Sequence, residues 1–118
     1  MDSDGLGTLG EVRAEQYLVE QGCRILARNA AFPGAEIDLI AQDGRVIVFV
    51  EVKLRKNDAY AEAKEFVTAA KQQRVMMAAQ LWLQQNETEL QPRFDVIEIY
   101  APNGEKGRVR INHIENAF

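Results

Sequence analysis

A single cysteine, a single histidine, three prolines and no long apolar run set the first limits on this 118-residue chain. Cys23 has no partner within the chain, so no intrachain disulfide frames the fold, and a reducing, cytoplasmic setting is expected. The opening Met1-Asp2-Ser3-Asp4 has neither the basic nor the long apolar region of a secretory signal. With His113 as the sole histidine, no histidine-based zinc set can be assembled, and its strand position suggests packing or an exposed edge. The apolar run Val46 to Val50 is far shorter than a membrane span, so a soluble protein without membrane partners is expected. Basic charge is also scarce: Lys and Arg number 14 against 18 Asp and Glu, a formal net charge of −4. This excludes nucleic-acid binding driven by overall charge. It leaves open a metal site that gathers carboxylates beside a local basic stripe, because bound cations neutralise the acids.

What is present is ordinary globular material. Hydrophobic residues make up 47% and charged residues 27% of the chain, enough for one modest core, so residues 1–118 are read as a single domain. Thr8 and Glu11 have capping-box spacing, and Leu9, Val12, Tyr17 and Leu18 follow at helical intervals until Gly22, which predicts a helix over about 8–21. Residues 23–28 read as a short strand and 29–35, with Pro33-Gly34, as a loop. Glu36 to Ala41 alternates, Asp43-Gly44 is a turn signal, and Val46 to Leu54 is rich in β-branched residues, so a hairpin is expected. Residues 57–66 are polar and carry no clear pattern. Thr68 can cap a helix over about 69–85, with Met76, Met77, Trp82 and Leu83 as its packed face. Strands follow at 94–100 and 109–114, with a turn at Asn103-Gly104. The order αβββαββ, with no repeat or linker, describes an α/β layer structure.

The hairpin places chemistry. If Asp43 and Gly44 form a two-residue loop, Gln42 faces Arg45, Asp38 faces Phe49, and Glu36 faces Glu51. Glu36, Asp38, Glu51 and Lys53 then share one face of the ladder, and Ile37, Leu39, Val48, Val50 and Val52 the other. Diagonal neighbours such as Asp38 and Glu51 lie ~7–8 Å apart in such a ladder, within reach of one shared hard cation. Like charges so placed call for a counter-charge that Lys53 alone does not supply. The simpler alternative is a set of solvated charges at strand ends. Against it, the same face carries Ile40, Ile47 and Phe49, which predicts a covering helix and partly buried acids.

Asp38, twelve intervening residues and Glu51-Val52-Lys53 resemble the D-x(n)-E-x-K signature of the restriction-endonuclease-like superfamily, notably its Holliday-junction-resolvase branch. More of the chain follows suit. Gly7-Thr8-Leu9-Gly10-Glu11, Ala14-Glu15-Gln16-Tyr17-Leu18, Ile25-Leu26-Ala27-Arg28-Asn29, Glu36 to Ala41, Phe49 to Arg55, Arg93-Phe94-Asp95-Val96-Ile97 and Asn116-Ala117-Phe118 together resemble the bacterial YraN-like family. Two departures stand out: Ala35 precedes Glu36 where that family usually has Gly, with Gly34 displaced by one position, and no Arg lies among residues 31–34.

The resemblance implies a restriction-endonuclease-like fold with a central mixed β-sheet flanked by helices. It implies a metal-dependent endonuclease-like activity on DNA phosphodiester bonds. Asp38, Glu51 and Lys53 are the catalytic candidates, and Asp38, Glu51 and Glu11 would hold Mg²⁺, with Mn²⁺ as an alternative. Glu11 has a competing role as capping partner of Thr8. Glu36 would support the metal residues from behind. Lys53 would orient a water or stabilise the transition state. Arg28, Arg55, Lys56, Lys71 and Arg74 are candidates for a basic rim that positions the phosphate backbone, with plain solvation as the alternative for each. No sequence-reading motif occurs, so branched or single-stranded DNA is a better expectation than a specific sequence. Homodimerisation follows by analogy with resolvases.

Other signals carry less. Gly5-Leu6-Gly7-Thr8-Leu9-Gly10 spells G-x-G-x-x-G, but no strand precedes it, which argues against a dinucleotide site. Cys23 has no activating neighbour and reads as a core residue. The remaining alternatives are a catalytically inactive nucleic-acid-binding module and a protein-interaction module on the same fold. The acidic balance favours the latter.

Overall fold

Two tight turns fold the first three strands into a meander, and each turn has a glycine where φ is positive. At Pro33-Gly34 the strands close on the pair Phe32↔Ala35, with Gly34 at φ 83°, the arrangement of a type II turn with Pro first and Gly second. At Gly44-Arg45 they close on Asp43↔Val46, with Gly44 at φ 60°, as a type II′ hairpin turn requires at its first central position. The computed structural model describes residues 5–55, 68–103 and 107–118, and side chains from Leu9 onward. Its elements are α1 (Gly5–Glu20), β1 (Arg24–Phe32), β2 (Ala35–Asp43), β3 (Val46–Arg55), α2 (Ala69–Gln85), β4 (Gln91–Tyr100) and β5 (Arg110–Ile114).

The five strands form one sheet in the order β1-β2-β3-β4-β5. β3 and β4 are parallel and the other neighbours antiparallel, so the sheet is mixed. One face packs on α1, through Ala14 and Leu18 against Leu39, Ala41, Val48, Val50, Ile97 and Ile99. The other packs on α2, through Val75, Ala78 and Ala79 against Ile37, Ile40, Ile47 and Phe49. Phe49 anchors that layer, stacked on Phe94 with ring centroids 5.4 Å apart and meeting the edge of Trp82. Among the described residues no helix is long and apolar enough to cross a membrane.

The order αβββαββ is the expected one, and several details differ. The hairpin loop is Gly44-Arg45 rather than Asp43-Gly44, which shifts the ladder by two residues. A two-residue slip preserves faces but changes partners: Phe49 now pairs with Ile40 instead of Asp38. Residues 29–35 are not a loop, because the Pro-Gly turn lets β1 run on to Phe32. Helix α1 begins at Gly5, so Thr8 lies within it and the capping-box reading fails. On α2, Thr68 caps as expected, its Oγ1 accepting from the Lys71 N–H at 3.2 Å. Met76 and Met77, however, are exposed, because the inward stripe is Val75, Ala78, Ala79 and Trp82 at helical spacing. The turn expected at Asn103-Gly104 and the stretch 57–66 lie at least partly outside the described residues.

Gly10 lies inside α1, where glycine costs helix stability. A Cβ there would meet Leu54 Cβ and Val52 Cγ1 at 3.5 Å, ordinary contact distance. Gly10→Ala should therefore raise unfolding stability by roughly 0.5–1 kcal/mol in urea titrations, and a loss of stability would show that α1 sits closer to β3 than this.

Candidate metal centre where β2 and β3 part

The functional geometry comes from a break in pairing. β2 and β3 pair from Asp43↔Val46 to Leu39↔Val50. Beyond that, β2 stays with β1 as far as Ala35, while β3 stays with β4 as far as Arg55. Asp38 sits where the strands part, and its Oδ2 accepts the Val52 N–H at 2.8 Å, so a carboxylate replaces the next rung of the ladder. On the other side of Asp38, Asn29 of β1 adopts φ 49°.

The alternation of β2 slips at this point. Leu39 and Ala41 face the α1 core with Val48 and Val50, but Ile37 joins Ile40 in the α2 core. The expected common face for Ile37 and Leu39 is therefore wrong. The irregularity turns Asp38 into a cleft of about 340 Å³ on the α1 side, which Glu11, Glu15, Arg28 and Asn29 help to line. Such local kinks re-aim side chains at functional sites.

Four acids gather here. Burial first, and the charge of Glu51 second, push the Asp38 carboxyl up to about 7. The Val52 N–H works against them, and Glu11 and Glu36 add to the rise. With its amide nitrogen turned toward them, Asn29 donates to both Glu11 Oε2 and Glu36 Oε1 at 3.2 Å. Glu51 is only 7% exposed, and its Oε2 has Lys71 Nζ at 3.1 Å and Lys53 Nζ at 3.6 Å. Lys71 projects from the first turn of α2 and, with Arg74 and Glu36, lines a second cleft of about 240 Å³.

Glu11, Glu36, Asp38, Glu51, Lys53 and Lys71 are thus neighbours in space. The other basic candidates are placed differently. Arg28 is exposed but forks onto Glu15, with Nε and Nη2 at 2.6 and 2.7 Å from its two carboxylate oxygens. Arg55 is turned to the buried Glu98, its Nε 3.6 Å from Oε2, which makes it a counter-charge inside the fold rather than part of a rim. Glu98 also accepts from Asn112 at 2.7 Å and from Tyr100 at 3.0 Å. Lys56 lies outside the described residues.

A second polar cluster gathers around Asp95 and includes His113, which the sequence suggested only as a packing or edge residue. Asp95, fully buried in β4, accepts two bonds from Arg93 at 2.9 Å, one from the Asn116 N–H at 3.1 Å, and faces His113 Nε2 at 2.7 Å. The Nδ1 of the same ring meets the Tyr17 hydroxyl at 2.9 Å, tying α1 to β5. Burial alone would raise Asp95, but the His113, Arg93 and Asn116 bonds hold its carboxyl below the ordinary range. The sequence signal was an acid between Phe94 and Val96 in an apolar strand. Asp95, His113 and Glu115 have donor atoms within 4.8 Å of one another, a tighter set than the acids around Asp38. The Arg93 guanidinium already occupies both Asp95 oxygens and lies 3.2 Å from Glu115, so this set is internally neutralised. Among the described residues Asp38 has no such cation, for Lys53 and Lys71 lie against Glu51. The carboxylate oxygens grouped around it fit a hard divalent ion.

A mixed five-stranded sheet with a helix on each face, and acids grouped where two strands part, make this an α/β protein consistent with a nuclease-like fold. Comparison with known proteins gives the family. The description "Uncharacterised protein family UPF0102" matches residues 10–99, and the chain belongs to that family, the one the YraN-like phrases indicated. The UPF0102 protein of Symbiobacterium thermophilum is 49% identical over 114 residues, covering 96% of this chain and 95% of the relative. Those of Saccharophagus degradans and Vibrio campbellii are 47% and 45% identical, and each alignment covers 91% of the relative and 95% and 96% of this chain, respectively.

Proposed function

We propose that this protein is a metal-dependent endonuclease-like phosphodiesterase acting on DNA, selective for branched or single-stranded structure rather than for sequence. The observation that carries the reading is Asp38, a carboxyl pushed up to about 7 in a cleft where Glu51, Glu11 and Glu36 oppose its ionisation. Such an arrangement costs stability and is expected where a cation is to be held. Asp38, Glu51 and Glu11 would hold Mg²⁺ or Mn²⁺, and Glu36 would support Glu11 through Asn29. Bound there, the ion would lower the pKa of a water and offset charge on the phosphate. Lys53, beside Glu51 and 27% exposed, can orient that water or meet charge developing on the phosphate.

A second reading, a protein-interaction module on the same fold, is favoured by the net charge of −4 and by the engagement of Arg28, Arg55 and Lys71 with acids. The two are separated by incubating wild type, Asp38→Ala and Lys53→Met with branched, flapped and linear DNAs in Mg²⁺ or Mn²⁺. Cleavage by the wild type, its loss in Asp38→Ala and a decrease of about 10²–10³-fold in Lys53→Met are expected. Equal cleavage by all three would remove the site from the reaction, and absence of cleavage by the wild type throughout would favour the interaction reading.

A further inference from the structure

Two ammonium groups share one carboxylate oxygen at Glu51, and they are not equivalent. Lys53 stands two residues along the same strand, so its reach to Glu51 is fixed by β3 itself. Lys71 comes from α2 and makes the closer contact, 3.1 Å against 3.6 Å, although its side chain is 36% exposed. Its backbone is anchored, because the Lys71 N–H is held by Thr68 Oγ1, but four flexible carbons separate that anchor from the charge. The two ammonium groups repel each other across Oε2, and the more exposed one is the cheaper to displace. Away from Glu51, Lys71 opens onto the cleft of about 240 Å³ that it shares with Arg74, one helical turn on.

We propose that Lys71 is a positioning residue that competes with the divalent cation for Glu51 and, once displaced, contacts the phosphate backbone together with Arg74. The inference rests on the metal-dependent reading above and adds an order to it. Metal binding at Glu51 releases Lys71, and nucleic acid then binds to a cleft that has gained a free cation. Metal and nucleic acid therefore favour each other's binding through one side chain, by a reciprocal coupling.

The test is calorimetric titration of Mg²⁺ into wild type, Lys71→Met, Lys71→Arg, Arg74→Met and Asp38→Asn, with melting curves in divalent-free buffer. Affinity of each for a short single-stranded oligonucleotide is then measured with and without Ca²⁺, an oxygen-seeking ion used here as a probe. Lys71→Met should bind Mg²⁺ about tenfold more tightly than wild type yet melt lower without divalent ions, because Glu51 has lost a counter-charge. A purely structural role would move both readouts in the same direction. Lys71→Arg should restore wild-type Mg²⁺ affinity, Arg74→Met should leave it within about twofold, and Ca²⁺ should enhance oligonucleotide binding in wild type several-fold more than in Lys71→Met. If wild type binds Mg²⁺ and Lys71→Met binds it equally or more weakly, competition at Glu51 is overturned while the metal-dependent reading stands. If neither wild type nor any variant binds Mg²⁺, that reading falls and this inference with it.

Discussion

At pH 8 in divalent-free buffer, Asp38→Asn melts roughly 15 °C above the wild type, at ~4 °C per kcal/mol for a domain of this size. The amide keeps an oxygen to accept the Val52 N–H, and its nitrogen can donate to a neighbouring carboxylate, so the substitution removes charge without leaving a gap. The gain reflects what ionised Asp38 costs. Its folded-state value of about 7 stands above the ordinary 3.8, so between these values the folded chain holds a proton that the unfolded chain has lost. Wild-type stability is therefore undiminished below about pH 4, falls as pH rises, and carries the whole cost above pH 7. That span corresponds to on the order of 4 kcal/mol. The advantage of Asp38→Asn should accordingly shrink on acidification and vanish near pH 4. Melting below the wild type at pH 8 would mean that Asp38 is satisfied as a carboxylate. The same variant is expected to lose metal-dependent cleavage, so stability and activity move in opposite directions at one residue.

Asp95→Asn behaves in the opposite sense. Asp95 is buried like Asp38 but sits among donors, with Arg93, His113 and the Asn116 N–H all directed at it. Substitution removes the carboxylate that takes two bonds from the Arg93 guanidinium, in a setting only 16% exposed, leaves it the more exposed Glu115 at 3.2 Å, and places an amide nitrogen toward groups that already donate. A loss of roughly 3 kcal/mol at pH 7 is expected. Because the Asp95 carboxyl is held below its ordinary value, its contribution is present above that ordinary value and is lost as pH falls through the folded one. The defect of Asp95→Asn should thus be full at neutral pH and diminish in acid. Denaturant titrations of both aspartate variants between pH 3.5 and 8 would show the two trends side by side. An Asp95→Asn protein as stable as the wild type at pH 7 would mean that the Arg93–His113 cluster is incidental to the fold.

The legible part of this protein was its order of elements and the grouping of its acids. Alternation and turn residues gave β2, β3 and their hairpin, because period-two patterning survives any slip by an even number of residues. The same property hid the true partners, since Asp-Gly and Gly-Arg are both acceptable two-residue loops and differ by two in register. Pro33-Gly34 was visible as a turn, but nothing local showed that residues 29–32 continue a strand beside β2. The slip at Asp38 was unreadable for a related reason: alternation along β2 alone puts Ile37 and Leu39 on one face, and only the packing against two different helices separates them. Met76 and Met77 were expected on the packed face with Trp82 and Leu83, but the smaller Val75, Ala78 and Ala79 carry the buried stripe. Arg55 stands beside Lys56 in sequence yet turns inward to Glu98, a partner that only strand pairing could supply. The Asp95 cluster joins residues from α1, β4 and β5, so its single-sequence trace was no more than an acid in an apolar strand and a lone histidine.

If the acids at the parting of β2 and β3 hold a divalent ion, binding must displace the proton that Asp38 keeps near neutral pH. The direct measurement is calorimetric titration of Mg²⁺ at pH 7.0 in two buffers of different ionisation enthalpy, repeated at pH 8.5. The expected result is release of about half a proton per ion bound at pH 7.0 and little at pH 8.5, with binding lost in Asp38→Asn. Mg²⁺ binding that releases no proton at pH 7.0, or that persists unchanged in Asp38→Asn, would contradict a metal centre built on Asp38.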